Sequence, residues 1–128
     1  MPGIDESRSF LAVNIAVLTV SDSRDLASDR SGAALKERIE AAGHKVAARE
    51  IVKDDAALIK ALVAKWIADP EIDVVIATGG TYLFALPGSP GACRDGWDDI
   101  LKWQLDSRVR PCNLVELMPR LMEHLKSA

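Results

Sequence analysis

Two uninterrupted apolar, β-forming runs, Val74–Thr78 and Tyr82–Leu86, are separated by only Gly79-Gly80-Thr81. This spacing constrains the fold more than any other feature of the chain. Parallel neighbours in a sheet need a crossover of about a dozen residues or more. Either these two runs form an antiparallel hairpin, or a connection that belongs between them is absent. Each run also ends in a small, glycine-bearing turn, Gly79-Gly80-Thr81 and Pro87-Gly88-Ser89-Pro90. In open α/β sheets, ligands collect at such strand ends.

The rest of the chain alternates strand-like and helix-like segments. Ile15–Val20 (IAVLTV) is apolar on both faces, as a central parallel strand is. Ser28 or Asp29 suits the N-cap of a helix to about Ala42, with Leu35, Ile39 and Ala42 inward. Gly43 fits the left-handed position that follows it, and His44 sits against the last carbonyls or in solvent. Lys45–Val52 has mixed polarity and reads as a strand nearer an edge. Asp54 or Asp55 starts a second helix, to about Ala68. Its stripe is Leu58, Ile59, Leu62, Val63, Trp66 and Ile67, with Trp66 read as core.

Ile72–Thr78 is the third strand and Tyr82–Leu86 the fourth. Ser89-Pro90 reads as N-cap and N1 of a helix. Its buried side is expected to carry Cys93, Trp97, Ile100, Leu101 and Gln104 or Leu105. Arg108–Pro111 reads as an extended exit. A short helix is expected from near Pro119, with Leu121, Met122 and Leu125 as its apolar face. Met1–Ser9 reads as a loose arm, with Phe10, Leu11 and Val13 tucking it against the body. The order β-α-β-α-β…β-α implies an α/β fold with a doubly wound, mostly parallel sheet and helices on both faces. No repeat or linker interrupts it, and 128 residues make one domain, residues 1–128.

Composition narrows the function classes. A net charge of −3 with 27% charged residues does not suit a non-specific nucleic-acid binder. No apolar run approaches the ~20 residues of a membrane span. The N-terminus lacks the features of a signal peptide. Cys93 and Cys112 make neither a disulfide framework nor a metal-ligand spacing, so they read as reduced thiols of a cytoplasmic protein.

If the strands are parallel, four features share one edge of the sheet: Ser21-Asp22-Ser23, Asp54-Asp55, Gly79-Gly80-Thr81 and Pro87-Gly88-Ser89. A diglycine lets backbone approach a ligand, and successive amides form an anion-binding concavity to which Thr81 adds a hydroxyl. A plain turn is the alternative. Pro87-Gly88-Ser89 precedes a helix and offers free N–H groups to a phosphate or carboxylate; otherwise it is simply a well-capped helix start. Asp22 either binds a ring amine or amide of a ligand or makes an Asx-turn. Asp54 either helps hold a divalent cation between phosphates or caps the next helix. The chain has two histidines, His44 and His124, and no credible Ser-His-Asp or Cys-His set. That leans toward chemistry run by positioning and electrostatics, such as nucleotidyl transfer with a bound cation.

Several motifs in order, TVSDSRD at Thr19–Asp25, DRSG at Asp29–Gly32, AAGH at Ala41–His44, TGGT at Thr78–Thr81 and PGSPGAC at Pro87–Cys93, resemble the MoaB/MogA-type molybdenum-cofactor biosynthesis proteins. The tail, Gln104–Leu121, is close to the MoaB branch. The resemblance covers nearly the whole chain. It implies a doubly wound α/β fold in a homo-trimer or homo-hexamer, molybdopterin as ligand, and ATP- and Mg²⁺-dependent adenylylation of molybdopterin. It implies that Ser21, Asp22, Gly79, Gly80, Thr81, Pro87, Gly88 and Ser89 surround the ligand, and that the acid at Asp54 is catalytic. A catalytically silent molybdopterin-binding protein of the same pathway is the alternative, and an unrelated α/β phosphate-binding domain a third reading.

The chain departs from the family after Thr81. In the family, the turn continues into another glycine, an Arg-Asp…Thr-Pro-Glu-Ala stretch, helices and a strand, and that stretch carries a second catalytic acid. Two explanations stand. The sequence joins two parts of a longer polypeptide, so that Thr81 and Tyr82 lie farther apart than the ~3.8 Å of bonded neighbours. Or the polypeptide is truly shortened, and adenylylation by it is in doubt.

Overall fold

The computed structural model describes residues 3–79, 84 and 86–121. They divide into two compact units. One is Ser7–Gly79; the other comprises residues 3–6 and the described residues beyond 79.

In the first unit, β1 (Asn14–Val20), α1 (Arg30–Ala41), β2 (Lys45–Val52), α2 (Ala56–Ile67) and β3 (Val74–Thr78) follow in order. The sheet is wholly parallel, with strand order β2-β1-β3. β1 is the central strand and is buried over Ile15–Thr19. Ile15 and Val17 pack with Ile39 of α1, whereas Ala16 and Leu18 pack with Trp66 of α2. The two helices therefore cover opposite faces of the sheet, as a doubly wound fold requires. Burying each large side chain of this set contributes about 1.5–3 kcal/mol. β2 lies at an edge of the sheet, as its mixed polarity foretold.

Local chemistry sets the helix ends. The Asp29 carboxylate accepts the Gly32 N–H at 3.0 Å, and Asp55 accepts those of Ala57 and Leu58 at 2.8 and 3.2 Å. α1 closes in a Schellman motif: the Gly43 N–H reaches Glu40 O at 3.0 Å and the His44 N–H reaches Ile39 O at 3.1 Å. Gly43 takes φ +95° there, a conformation glycine adopts without steric cost.

Several details differ from the sequence reading. On α2, Ile59, Leu62 and Val63 join Trp66 against the sheet, but Leu58 and Ile67 are exposed. Ala42 is also exposed. His44 does not turn to the last carbonyls of α1. Its Nδ1 accepts the Val13 N–H at 3.1 Å, and Phe10 lies against its ring with centroids 5.0 Å apart. Val13 packs onto the core, whereas Phe10 and Leu11 stay largely exposed.

In the second unit, Ser89 Oγ accepts the Ala92 N–H and caps α3 (Pro90–Gly96), with Pro90 at its first position. The helix widens into a π-turn at Trp97–Leu101 and continues through Lys102–Gln104. Cys93, Trp97 and Ile100 are exposed rather than on a buried stripe. The exit at Arg108–Pro111 is a turn, not extended chain: Asp106 accepts the Arg108 N–H at 2.9 Å on its carboxylate and the Val109 N–H at 3.2 Å on its carbonyl. A 3₁₀ helix spans Val115–Arg120, so Pro119 lies within it instead of starting it. Asn113 ties this tail together, donating to Val109 O and accepting the Glu116 N–H, both at 3.0 Å.

Most of the strand expected at Tyr82–Leu86 lies outside the described residues. Phe84 and Leu86 belong to no strand. The Thr81–Tyr82 join, Met122, His124 and Leu125 also lie outside them.

Candidate functional site

β1 and β3 are neighbours, and the connections leaving β1 and entering β3 run to opposite sides of β1. The crevice at their C-terminal ends is therefore the switch point of the sheet, where α/β folds of order 2-1-3 bind ligands. Ser21 and Asp22 follow β1, and Gly79 follows β3. Gly79 takes φ +127°, and a Cβ there would lie 3.4 Å from Val20 Cβ. Glycine thus lets the β3 exit bend beside the end of β1.

The ends of β1 and β2 are stitched together. The Ser21 N–H donates to Val52 O at 2.8 Å, and the Asp54 N–H donates to Asp22 Oδ1 at 2.9 Å. Asp22 thus makes a link between loops instead of an Asx-turn. Asp54 does not cap α2; Asp55 does. Ser21, Asp22, Asp54 and Gly79 therefore share one edge of the sheet. Gly80 and Thr81 lie outside the described residues. Pro87, Gly88 and Ser89 belong to the second unit, where Ser89 is the cap of α3.

Beneath this edge is a buried polar cluster. Asp29, whose side chain is fully buried, accepts the Thr19 hydroxyl at 2.8 Å and Arg49 Nη2 at 3.2 Å. Arg49 Nη2 also donates to Asp29 O at 3.0 Å. Burial pushes the Asp29 carboxyl up, but the bonds from Gly32, Thr19 and Arg49 and the guanidinium charge outweigh it, so its pKa lies below the usual range. A Cβ on Gly32 would collide with the Asp29 carboxylate and come within 3.0 Å of Arg49 Nε. In sequence, Asp29 stands out as a helix cap and within the DRSG motif, and Arg49 does not stand out. The available signal was an arginine inside a strand.

On the β2 side an open hollow of ≈ 440 Å³ is lined by Ser21, Asp22, Arg24, Arg49 and Lys53 among others. Asp25 on its rim accepts the N–H and hydroxyl of Ser28, which hold its carboxyl below the usual range.

Among the described residues, no three His, Cys, Asp or Glu side chains form a group that could hold a metal.

The family described as "Probable molybdopterin binding domain" matches residues 16–83. Molybdenum cofactor biosynthesis protein B of Escherichia coli (strain K12) is 32% identical over 159 residues, taking in 84% of this chain and 94% of that protein. The protein of the same name from Bacillus cereus is 42% identical over 69 residues, 54% of this chain and 41% of its own length. A solved structure, "Crystal structure of Molybdenum cofactor biosynthesis protein B", matches with TM-score 0.55 and 33% identity over 77% of this chain. The chain spans 56% of the length of that protein. The Escherichia coli alignment runs over 159 positions but takes in only about 108 residues here (84% of 128), so about 50 positions of the relative have no counterpart.

Proposed function

From the premise that this chain belongs to the MoaB-type family of probable molybdopterin-binding domains, we propose that it binds molybdopterin and acts in molybdenum-cofactor biosynthesis. One observation carries the reading: Ser21, Asp22, Asp54 and Gly79 gather at the switch-point edge of the sheet, within the stretch the family matches. The Asp22 N–H, next after Ser21, suits a phosphate, and the Asp22 carboxylate suits a ring amine or amide of the pterin.

The reaction we propose is adenylylation. An oxygen of molybdopterin attacks the α-phosphorus of ATP, the AMP group is transferred, and pyrophosphate leaves. Mg²⁺ arriving with ATP supplies charge neutralisation of the phosphates. Asp54 is the catalytic acid residue of this chain, held beside Asp22 by its own N–H. The protein works in the cytoplasm as a homo-trimer or homo-hexamer. Two free cysteines accord with a reducing compartment.

A second reading, a silent molybdopterin carrier, draws support from the ~50 positions of the Escherichia coli relative that have no counterpart here. Turnover of ATP that requires both magnesium and molybdopterin separates the two. Asp54→Ala is expected to abolish that turnover and leave molybdopterin bound; turnover intact in Asp54→Ala removes Asp54 from catalysis. Binding without turnover in the wild type leaves the carrier. No binding of molybdopterin ends both readings.

A further inference from the structure

The loop after β1 leaves a cation without an anion. Arg24 is half-buried, yet its guanidinium has no hydrogen bond or ion pair among the described residues. A guanidinium carries five donors, and withdrawing it from water without an acceptor is costly. Lys53, solvent-exposed on the wall of the same hollow just past β2, has no hydrogen bond or ion pair among the described residues.

Ser21 adds a directed donor. Its Oγ accepts the N–H groups of Ser23 at 3.4 Å and Arg24 at 3.2 Å. Both lone pairs are thereby used and the hydroxyl proton is left to donate. Of the other charged groups in the hollow, Arg49 is paired with Asp29, while the Asp25 and Asp22 carboxylates accept from Ser28 and the Asp54 N–H and keep their charge. Glu50 forms the acidic side of the wall. Two cations without partners among the described residues, together with the Ser21 O–H, suit a group that only accepts hydrogen bonds and bears more than one negative oxygen.

We propose that Arg24, Lys53 and the Ser21 hydroxyl form a phosphate-binding subsite between the ends of β1 and β2, on the other side of β1 from the switch-point crevice. The subsite stands on this geometry. Only the identity of its ligand rests on the function proposed above, which offers two phosphate bearers, molybdopterin and ATP.

The test is calorimetric titration of the full chain with pyrophosphate at low ionic strength, where exposed charge is least screened. Saturable binding is expected, weakened roughly tenfold to a hundredfold by Arg24→Gln, as for the loss of a charged hydrogen-bond partner. Lys53→Gln weakens it too, and Arg24→Lys restores part of it. Circular dichroism and the unfolding midpoint of each variant stay at wild-type values. Absence of pyrophosphate binding to the wild type, or wild-type binding by both glutamine variants, overturns the proposal. Titrations with ATP and molybdopterin, with adenosine and a phosphate-free pterin as controls, then identify the source: the affinity that falls in Arg24→Gln marks the ligand whose phosphate sits there. A wild type that binds pyrophosphate through Arg24 but neither ATP nor molybdopterin keeps the subsite and overturns the proposed function.

Discussion

Thr19, on the central strand, donates its hydroxyl to Asp29 Oδ2 across 2.8 Å. This bond joins the C-terminal part of β1 to the first turn of α1. Because Asp29 also caps α1 and pairs with Arg49 of β2, one carboxylate ties three successive elements together.

Loss of the Asp29 charge is expected to be costly. Asp29→Asn leaves Arg49 without its counter-ion in the interior, and breaking a buried pair in this way costs about 3 to 5 kcal/mol. The native pKa is lowered, so the carboxylate's contribution is complete above the ordinary aspartate value of ~3.9 and lost as pH falls through the lower native one. Urea unfolding from pH 7 downward should show a shallower acid limb in Asp29→Asn than in the wild type. Parallel limbs exclude this role for Asp29.

Gly32→Ala tests the same cluster by steric means. The added methyl meets the Asp29 carboxylate, which is fixed by three donors and has no free direction to move. A destabilisation of about 1–3 kcal/mol is expected, the range for overpacking. Gly91→Ala is the control, since a Cβ at Gly91 meets nothing within 4 Å. Equal unfolding midpoints for the two variants contradict the packing argument.

Gly79 separates site geometry from stability. Space for a methyl exists, since the nearest atom lies 3.4 Å away, but φ +127° is a strained conformation for alanine. Gly79→Ala should lower stability by only about 1 kcal/mol and shift the path of the chain leaving β3. Molybdopterin affinity is therefore expected to fall well beyond what the stability change explains. Unaltered affinity removes the β3 exit from the ligand site.

Asp106 offers a direct spectroscopic check. Hydrogen bonds from the Arg108 side chain, then its backbone N–H, and the guanidinium charge hold its carboxyl at about 2. Carbon-detected NMR titration should find that value in the wild type and a rise toward the ordinary range in Arg108→Ala. An unchanged titration in the variant rules out Arg108 as the cause.

Much of this fold was written locally. The apolar run of β1, the 3.6-residue periodicity of α1 and α2, and the caps at Ser89-Pro90 and Gly43 depend on neighbours within a few residues, so sequence alone determined them, whereas the choice of Asp55 over Asp54 as the cap of α2 came from the structure. The motifs Thr19–Asp25 and Thr78–Thr81 likewise placed Ser21, Asp22 and Gly79 at strand ends. The sequence could not decide which side of β1 each strand joins, because strand order depends on which helix covers which face. Nor could it foresee that Asp29 meets Thr19 and Arg49, 10 and 20 residues away, or that the Asp54 N–H finds Asp22 across 32 residues. Leu58, Ile67, Cys93 and Trp97 are exposed, against their helical periodicity, for a related reason. Helical periodicity reports which residues share a stripe, and only packed neighbours decide how wide a stripe is buried. Tertiary structure therefore decided the polar cluster under the site and the half-burial of Arg24 beside it, since both arise from desolvation and charge pairing between segments distant in the chain.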